Sequence, residues 1–177
     1  MLILLVFTSY TVDEQINELF KNFRFVFADF ILSIITNSGI VFVVMLIIPS
    51  IILYKKNIKL VYLLYLTFIS SIILSLIIKL IVLRQRPVEA VTYPFVNILN
   101  YSFPSMHTMT SFSLVPILKK FIVKQKYFWI IFAFLVGFSR IYFGFHFISD
   151  VVFGAVLGYF LGNFLLQLYE NGRLWSK

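Results

Sequence analysis

The sequence predicts an all-α protein, a polytopic bundle of membrane helices in one domain. Of its 177 residues, 61% are hydrophobic and 12% are charged, whereas a soluble domain is roughly half apolar and about a quarter charged. The apolar residues are gathered in runs that approach the roughly 20 helical residues needed to cross a bilayer. Backbone polar groups in lipid must be satisfied within the protein, and runs of this length favour helices over a barrel.

Five apolar runs are the predicted spans. They cover residues 39–54, which can extend back through 25–35, then 60–83, 104–118, 127–142 and 151–168. Together they form the core region, 39–168, of the single domain.

The first 38 residues are predicted to form an N-terminal stub and an interfacial helix. Residues 13–24 place acidic and apolar side chains at helical spacing, which is typical of a helix lying in the membrane surface. Residues 1–10 are apolar but lack a basic leading region and a small-residue cleavage site, so we do not expect a removed signal peptide. Whether they form the stub of a sixth span stays open.

Lysine and arginine are unevenly distributed between the two ends of the spans. The junctions 55–59, 119–126 and 169–177 share one side and hold nine of the 15 cations. Cytoplasmic loops carry an excess of Lys and Arg, so this side is predicted to be cytoplasmic. The other junctions, which carry three polar motifs, are then expected to face outward.

Composition also narrows the chemistry. The chain has no cysteine, which excludes disulfides, thiolate catalysis and cysteine metal sites. A net charge of +8 could indicate an anionic partner, but in a membrane protein it more often reflects lysines that anchor the cytoplasmic face. We expect the lipid bilayer, and no nucleic acid, as its partner. Neither a serine nucleophile elbow nor a Walker loop is present in the sequence.

The first polar motif is Lys79-x6-Arg86-Pro87. Seven residues are about two helical turns, so both cations are expected on one face of a helix that ends near Pro87. The alternative is a pair of snorkelling anchors at the end of a span.

The second motif, Pro104-Ser105-Met106-His107, opens the next span. Proline suits a first helical turn and serine suits a cap, and a helix start is a ready anion site. Capping alone would explain Pro104 and Ser105, but it leaves His107 unexplained.

The third motif is Ser139-Arg140-x5-His146-x3-Asp150. A carboxylate that accepts from one ring nitrogen fixes the tautomer and leaves the other nitrogen as a nucleophile or base. Asp150 can reach His146 either as a helical i, i+4 pair or from a first turn back to a loop imidazole. A purely structural His–Asp pair is the alternative. Three cations beside these groups oppose a bound metal, so neither a metal nor another cofactor is expected.

In order and spacing, the three motifs resemble the type 2 phosphatidic acid phosphatase superfamily, whose signature is Lys-x6-Arg-Pro, Pro-Ser-Gly-His and Ser-Arg-x5-His-x3-Asp. The resemblance spans Lys79 to Asp150 and implies a six-helix membrane fold, with the first helix truncated here. Met106 stands where the family has glycine. Because glycine lets the backbone approach a phosphate closely, we expect the anion nest to differ in detail.

The resemblance also implies a role for each site residue. His146 would form a phospho-histidine, Asp150 would hold the other ring nitrogen, and His107 would protonate the leaving oxygen and then assist water. The implied phosphate cradle consists of Lys79, Arg86, Arg140 and Ser105.

The implied substrate is a membrane lipid phosphate, handled at the outer face of a bacterial inner membrane. By resemblance, lipid A 1-phosphate and undecaprenyl pyrophosphate are favoured, with phosphatidylglycerol phosphate and phosphatidic acid as alternatives. A phosphotransferase that uses a polyprenyl pyrophosphate donor would need the same residues. Vanadium haloperoxidases share the motifs but are expected to be soluble, and a channel or structural protein would leave both histidines unexplained. Oligomeric state stays open.

Overall fold

The structure, a computed structural model, describes residues 10–22, 24–87 and 97–174. Within these ranges the chain is all-helical, which confirms the predicted class. We number the helical segments α1 Tyr10–Asn22, α2 Val26–Thr36, α3 Ser38–Tyr54, α4 Ile58–Val82, α5 Met106–Phe121, α6 Lys126–Tyr142 and α7 Ile148–Glu170. Short 3₁₀ turns occupy Asn97–Asn100 and Val123–Gln125. The stub predicted at residues 1–10 lies outside the described residues except for its last residue.

The first apolar run is a broken helix. Segments α2 and α3 meet at Asn37 and are bent by 55°. The Asn37 side chain caps α3 by accepting from the N–H groups of Gly39 at 2.9 Å and Ile40 at 3.2 Å. Further on, α3 contains a π-helical turn at Val43–Ile47. The run thus extends back to residue 26, with a polar break in its middle.

Length and hydropathy identify fewer certain spans than the five predicted. Helices α4 and α7 are long and apolar enough to cross a membrane, and the bent α2–α3 pair makes a third if it counts as one span. Helices α5 and α6 have 16 and 17 residues, about 24–26 Å at 1.5 Å per residue, against a hydrocarbon core of roughly 30 Å. The protein is integral to the membrane, and the count of five spans stays a prediction.

Helix α4 ends earlier than the sequence predicts. Its last helical residue is Val82, and Leu83 adopts a left-handed conformation with φ 52°, its N–H bonded to the Lys79 carbonyl. A left-handed residue closes a helix, so the chain leaves the helix axis here. The prediction that Lys79 and Arg86 share one face of a helix is therefore wrong.

The N-terminal helix α1 forms where an interfacial helix was predicted, but one side chain points the other way. Glu14 and Glu18 are exposed, as expected for a surface helix. Asp13 is only 1% exposed and contacts the interior. The helical spacing of residues 13–24 does not separate Asp13 from Glu14 and Glu18, so its burial is a finding of the structure.

Helices α5 and α7 pack with their backbones nearly touching. A Cβ added at Gly158 would lie 2.2 Å from the Met109 carbonyl oxygen, and one at Gly162 would lie 2.0 Å from that of Ser113. Only glycine permits this approach. The close packing places the start of α5 beside the start of α7, where two of the three motifs lie.

The apolar core lies toward the lysine-rich end of the bundle. Buried side chains from α3, α4, α5 and α6 meet there, including Leu53, Leu63, Leu118 and Trp129. The opposite end, where α4 and α6 end and α5 and α7 begin, is lined by buried polar and charged groups instead. That end carries the candidate site.

Candidate active site

The seven residues predicted to form the site converge at this polar end of the bundle. They are Lys79, Arg86, Ser105, His107, Arg140, His146 and Asp150. Lys79, Arg86 and Arg140 lie close enough to both imidazoles to act on them electrostatically. The three motifs, which lie between residues 79 and 150 of the sequence, therefore form one charged cluster.

His146 lies in the loop between α6 and α7, with only 1% of its surface exposed. The loop folds back on the end of α6, where the N–H groups of Phe145 and His146 bond to the Arg140 carbonyl at 3.0 and 3.2 Å. The Asp150 Oδ2 atom lies 3.5 Å from His146 Nδ1, an electrostatic contact slightly longer than a normal hydrogen bond. Of the two predicted geometries, the structure has the carboxylate in a first turn reaching back to a loop imidazole.

The second ring nitrogen of His146 faces the cations. Its Nε2 atom lies 3.4 Å from Arg86 Nη1. Burial, followed by the nearby charges of Arg140, Arg86 and Lys79, holds the pKa of His146 well below its usual range. The ring is therefore neutral at neutral pH. A carboxylate beside Nδ1 favours the tautomer that has its proton on Nδ1 and its lone pair on Nε2.

The three cations are held by different partners. Arg86 donates to the carbonyls of Leu99 at 2.9 Å, Asn100 at 3.2 Å and Phe145 at 3.0 Å. Lys79, which is 1% exposed, donates to the Tyr101 carbonyl. These partners are neutral carbonyls, which hold both side chains at the site.

Arg140 is fixed from two sides. Its Nη1 group donates to the Thr36 hydroxyl at 2.7 Å, and its guanidinium lies 4.5 Å from the centre of the Phe145 ring. The first contact comes from the bend between α2 and α3, so the broken helix reaches the site.

The start of α5 brings Ser105 and His107 to the cluster. Ser105 occupies the cap position, but its hydroxyl accepts from the Thr108 hydroxyl at 2.9 Å and makes no capping bond, so the predicted serine cap is wrong. The Ser105 N–H donates to the Asp150 carbonyl at 3.1 Å. Half-buried His107 lies with Nε2 2.8 Å from the Ser38 hydroxyl, and Met106 takes helical angles as the first residue of α5.

Sequence reasoning missed four residues that support the site: Asp13, Thr36, Ser38 and Arg84. Thr36 and Ser38 flank Asn37 within a long apolar run, and polar groups inside a membrane segment mark function by default. That signal was available. Arg84 lies in the spacer of the first motif, where the pattern specifies nothing.

The donor set suits an anion. Among the described residues, no group of three or more His, Asp or Glu side chains comes together as a metal site would require. Three cations surround the neutral imidazole of His146, and the Asp150 carboxylate beside the ring is bonded to Arg84 at 2.9 Å. The arrangement can bind a multiply charged oxyanion and present a nucleophilic nitrogen to it.

Comparisons with known proteins identify one protein family and several individual proteins that this chain is similar to. The family model described as PAP2 superfamily matches residues 59–173. Phosphatidylglycerophosphatase B of Bacillus subtilis is 36% identical over 110 residues, 56% of this chain and 53% of that protein. Undecaprenyl-diphosphatase of Sulfolobus acidocaldarius is 29% identical over 129 residues, 69% of this chain and 61% of that protein. The matches therefore span little more than half the length of these relatives.

A solved structure is similar over a larger share. The transmembrane PAP2 type phosphatidylglycerolphosphate phosphatase from Bacillus subtilis superimposes with a TM-score of 0.75 at 27% sequence identity. The alignment covers 93% of this chain and 87% of that one. Since the family match covers only residues 59–173, the structural likeness extends beyond it.

Proposed function

Since the chain belongs to the PAP2 superfamily, we propose that it is a membrane lipid phosphatase that removes phosphate from a lipid head group without a metal. The observation that carries this proposal is the grouping of three basic side chains around His146. Lys79, Arg86 and Arg140 surround the ring, while Asp150 is bonded to Arg84. Three cations grouped around one imidazole suit an anion with several negative oxygens, because each cation can donate charge-assisted hydrogen bonds to a different oxygen. A phosphate group is such an anion.

In the first step His146 Nε2 attacks phosphorus. The N–P bond forms as the bond from phosphorus to the lipid oxygen breaks, and His107 gives its proton to that oxygen. Asp150 beside Nδ1 stabilises the positive charge that the ring acquires. The products of this step are a dephosphorylated lipid and a phospho-histidine.

In the second step water attacks the phosphorus of the phospho-histidine. His107, now lacking its proton, accepts one from the water as the N–P bond breaks. Inorganic phosphate leaves, and both imidazoles return to their starting states. Lys79, Arg86 and Arg140, with Ser105 at the start of α5, stabilise the oxygens throughout.

An apolar groove supports a lipid as the substrate. The groove is a cavity of about 540 Å³ between α5, α6 and α7. Its walls include Ile141, Ile148 and Val151, which lie within a few residues of Arg140 and Asp150 in the sequence. Its lining is almost wholly apolar. A hydrocarbon chain lying in this groove would bring its head group to the cations.

The chemistry of the site favours a lipid that ends in a phosphate or diphosphate, and the lysine and arginine bias of the sequence favours one on the outer leaflet of the membrane. The relatives are named for phosphatidylglycerophosphate and undecaprenyl diphosphate. Undecaprenyl pyrophosphate and lipid A 1-phosphate remain the favoured substrates, with phosphatidylglycerol phosphate and phosphatidic acid next.

The test is phosphate release by purified protein in detergent, with these four lipids and a water-soluble alkyl phosphate offered separately. We expect release from at least one lipid, insensitivity to EDTA and competition by orthovanadate, which mimics five-coordinate phosphorus. Absence of release from all four lipids would refute the proposal. A newly phosphorylated lipid in place of free phosphate would identify a phosphotransferase.

The groove can be tested separately. Ala155 lines it, so Ala155→Phe should raise KM for the lipid and leave the soluble phosphate unaffected. Ile131→Phe, at an exposed position of α6 away from the groove, is the matched control. Equal KM changes for both substrates would place the lipid chain elsewhere.

A further inference from the structure

A second charged cluster lies behind the nucleophile, and the proposed mechanism does not use it. Asp13 of α1, Arg84 and Ser149 of α7 are all at most 9% exposed. Arg84 donates from Nη2 to Asp13 Oδ2 at 2.7 Å, and from Nη1 to Ser149 Oγ at 2.7 Å and Asp150 Oδ1 at 2.9 Å. Asp13 in turn accepts from the Ser149 N–H at 3.1 Å and hydroxyl at 2.6 Å.

The opposite charges within this cluster compensate the cost of burying it. A lone buried carboxylate is costly, and two adjacent ones repel each other. The Arg84 guanidinium lies between Asp13 and Asp150 and compensates both. Its planar fork suits two carboxylates at once, which a single ammonium group cannot match.

Arg84 also divides the work of the two Asp150 oxygens. Oδ1 accepts from Arg84, while Oδ2 accepts from the Phe147 N–H at 2.9 Å and faces His146 Nδ1. The carboxylate therefore cannot rotate without losing a bond. Arg84 itself is held by its stacking on the Phe147 ring, 4.0 Å from the ring centre.

We propose that Arg84, anchored by Asp13, is a positioning residue that keeps Asp150 ionised and Oδ2 turned toward His146 Nδ1. The N-terminal helix α1 thereby becomes part of the catalytic apparatus, although it lies outside the family match. The left-handed Leu83 turns the chain inward immediately before Arg84. The catalytic consequence of this proposal rests on the function proposed above, but the orientation of the ring does not.

The chain offers a direct reading of that orientation, because His107 and His146 are its only two histidines. Labelling histidine with ¹⁵N in a protein without a histidine tag gives four ring-nitrogen signals, and His107→Gln assigns them by elimination. We expect the proton of His146 on Nδ1 in the wild-type protein. In Arg84→Met we expect Nδ1 protonation to be partly lost, and in Arg84→Lys to be lost less. An unchanged His146 spectrum in Arg84→Met would overturn the proposal.

Turnover of the lipid substrate provides the second measurement. Arg84→Met should lower kcat roughly tenfold to a hundredfold with little change in KM, as removal of an outer-shell partner does. Asp13→Asn should have a smaller effect in the same direction, and it serves if Arg84→Met fails to fold. Arg24→Met removes the exposed Arg24–Asp29 pair, 3.2 Å apart, and is the matched control that should leave kcat unchanged.

The two proposals fail in different ways. An inactive wild-type protein would refute the phosphatase proposal, while the tautomer measurement would still decide the role of Arg84. An active wild-type protein whose Arg84→Met and Asp13→Asn variants keep full kcat would refute the role of Arg84 alone. Equal loss of kcat in Arg24→Met would also overturn it, since the effect would not be specific to the buried cluster.

Discussion

The N-terminal segment, residues 10–54, and the family-matched segment, residues 59–173, contribute to the site in different ways. The matched segment holds all seven predicted site residues and all three motifs. The N-terminal segment holds none, yet it supplies Asp13 to Arg84, Thr36 to Arg140 and Ser38 to His107. The proposed reacting groups thus lie in one part of the chain, and three side chains that contact the site lie in another.

The largest effect should come from His146→Ala, which removes the proposed nucleophile from the matched segment. We expect turnover to fall by roughly a thousandfold or more, because no phospho-histidine can form. Activity and thermal unfolding in detergent are to be measured on the same preparation. Substantial activity in a folded His146→Ala protein would contradict the assignment of the nucleophile to His146.

The next effect concerns His107, which lies in the matched segment but has an N-terminal partner. His107→Ala should slow turnover of an alkyl phosphate about a hundredfold, since protonation of the leaving oxygen is lost. An aryl phosphate, whose leaving group needs no proton, should lose much less. Equal losses for both substrates would contradict the general-acid role.

A change inside the matched segment but away from the charged cluster should act on stability. Gly158→Ala places a Cβ 2.2 Å from the Met109 carbonyl oxygen, so α5 and α7 must separate. We expect a loss of about 1–3 kcal/mol in the free energy of unfolding, the usual cost of overpacking. Val156→Ala, at a half-exposed position two residues away, should cost less. Equal thermal stability of Gly158→Ala and wild type would show that the close packing is not required.

The smallest effect should come from the N-terminal segment itself. Ser38→Ala removes the 2.8 Å contact with His107 and should lower kcat a few-fold, as expected for one hydrogen bond. Ser33→Ala is the matched control, because the Ser33 hydroxyl bonds only locally to the Phe30 carbonyl at 2.7 Å. If Ser38→Ala and Ser33→Ala have the same kcat, the bend between α2 and α3 has no influence on His107.

Much of the fold follows from hydrophobic pattern alone. The runs predicted at 60–83, 127–142 and 151–168 correspond to Ile58–Val82, Lys126–Tyr142 and Ile148–Glu170, because long apolar runs have few alternatives in a membrane. The end of α4 was not predictable. Leucine rarely takes left-handed angles, and no glycine marks the turn at Leu83.

The site was predictable wherever a residue has chemistry that an apolar segment does not need. The motifs containing His107, His146 and Asp150 fall in this class. Arg84 and Asp13 were not predicted because each is explained by its contact with the other. The two residues are 71 positions apart in the chain, so the sequence does not reveal the pair. On a helix with an amphipathic pattern, a carboxylate is expected in water, and only the tertiary structure shows that Asp13 is paired inside.

The glycines of α7 have a consequence for alignment. Gly154, Gly158 and Gly162 meet the carbonyls of Ser105, Met109 and Ser113, so both helices repeat every four residues. Because this spacing is regular, moving one helix along the other by four residues, about 6 Å, would again place glycines opposite carbonyls. The bond from the Ser105 N–H to the Asp150 carbonyl lies at the edge of this contact and would be lost in such a shift. At the polar end of the bundle this bond joins the second motif to the third, and the glycines let the two helices come close enough for it to form.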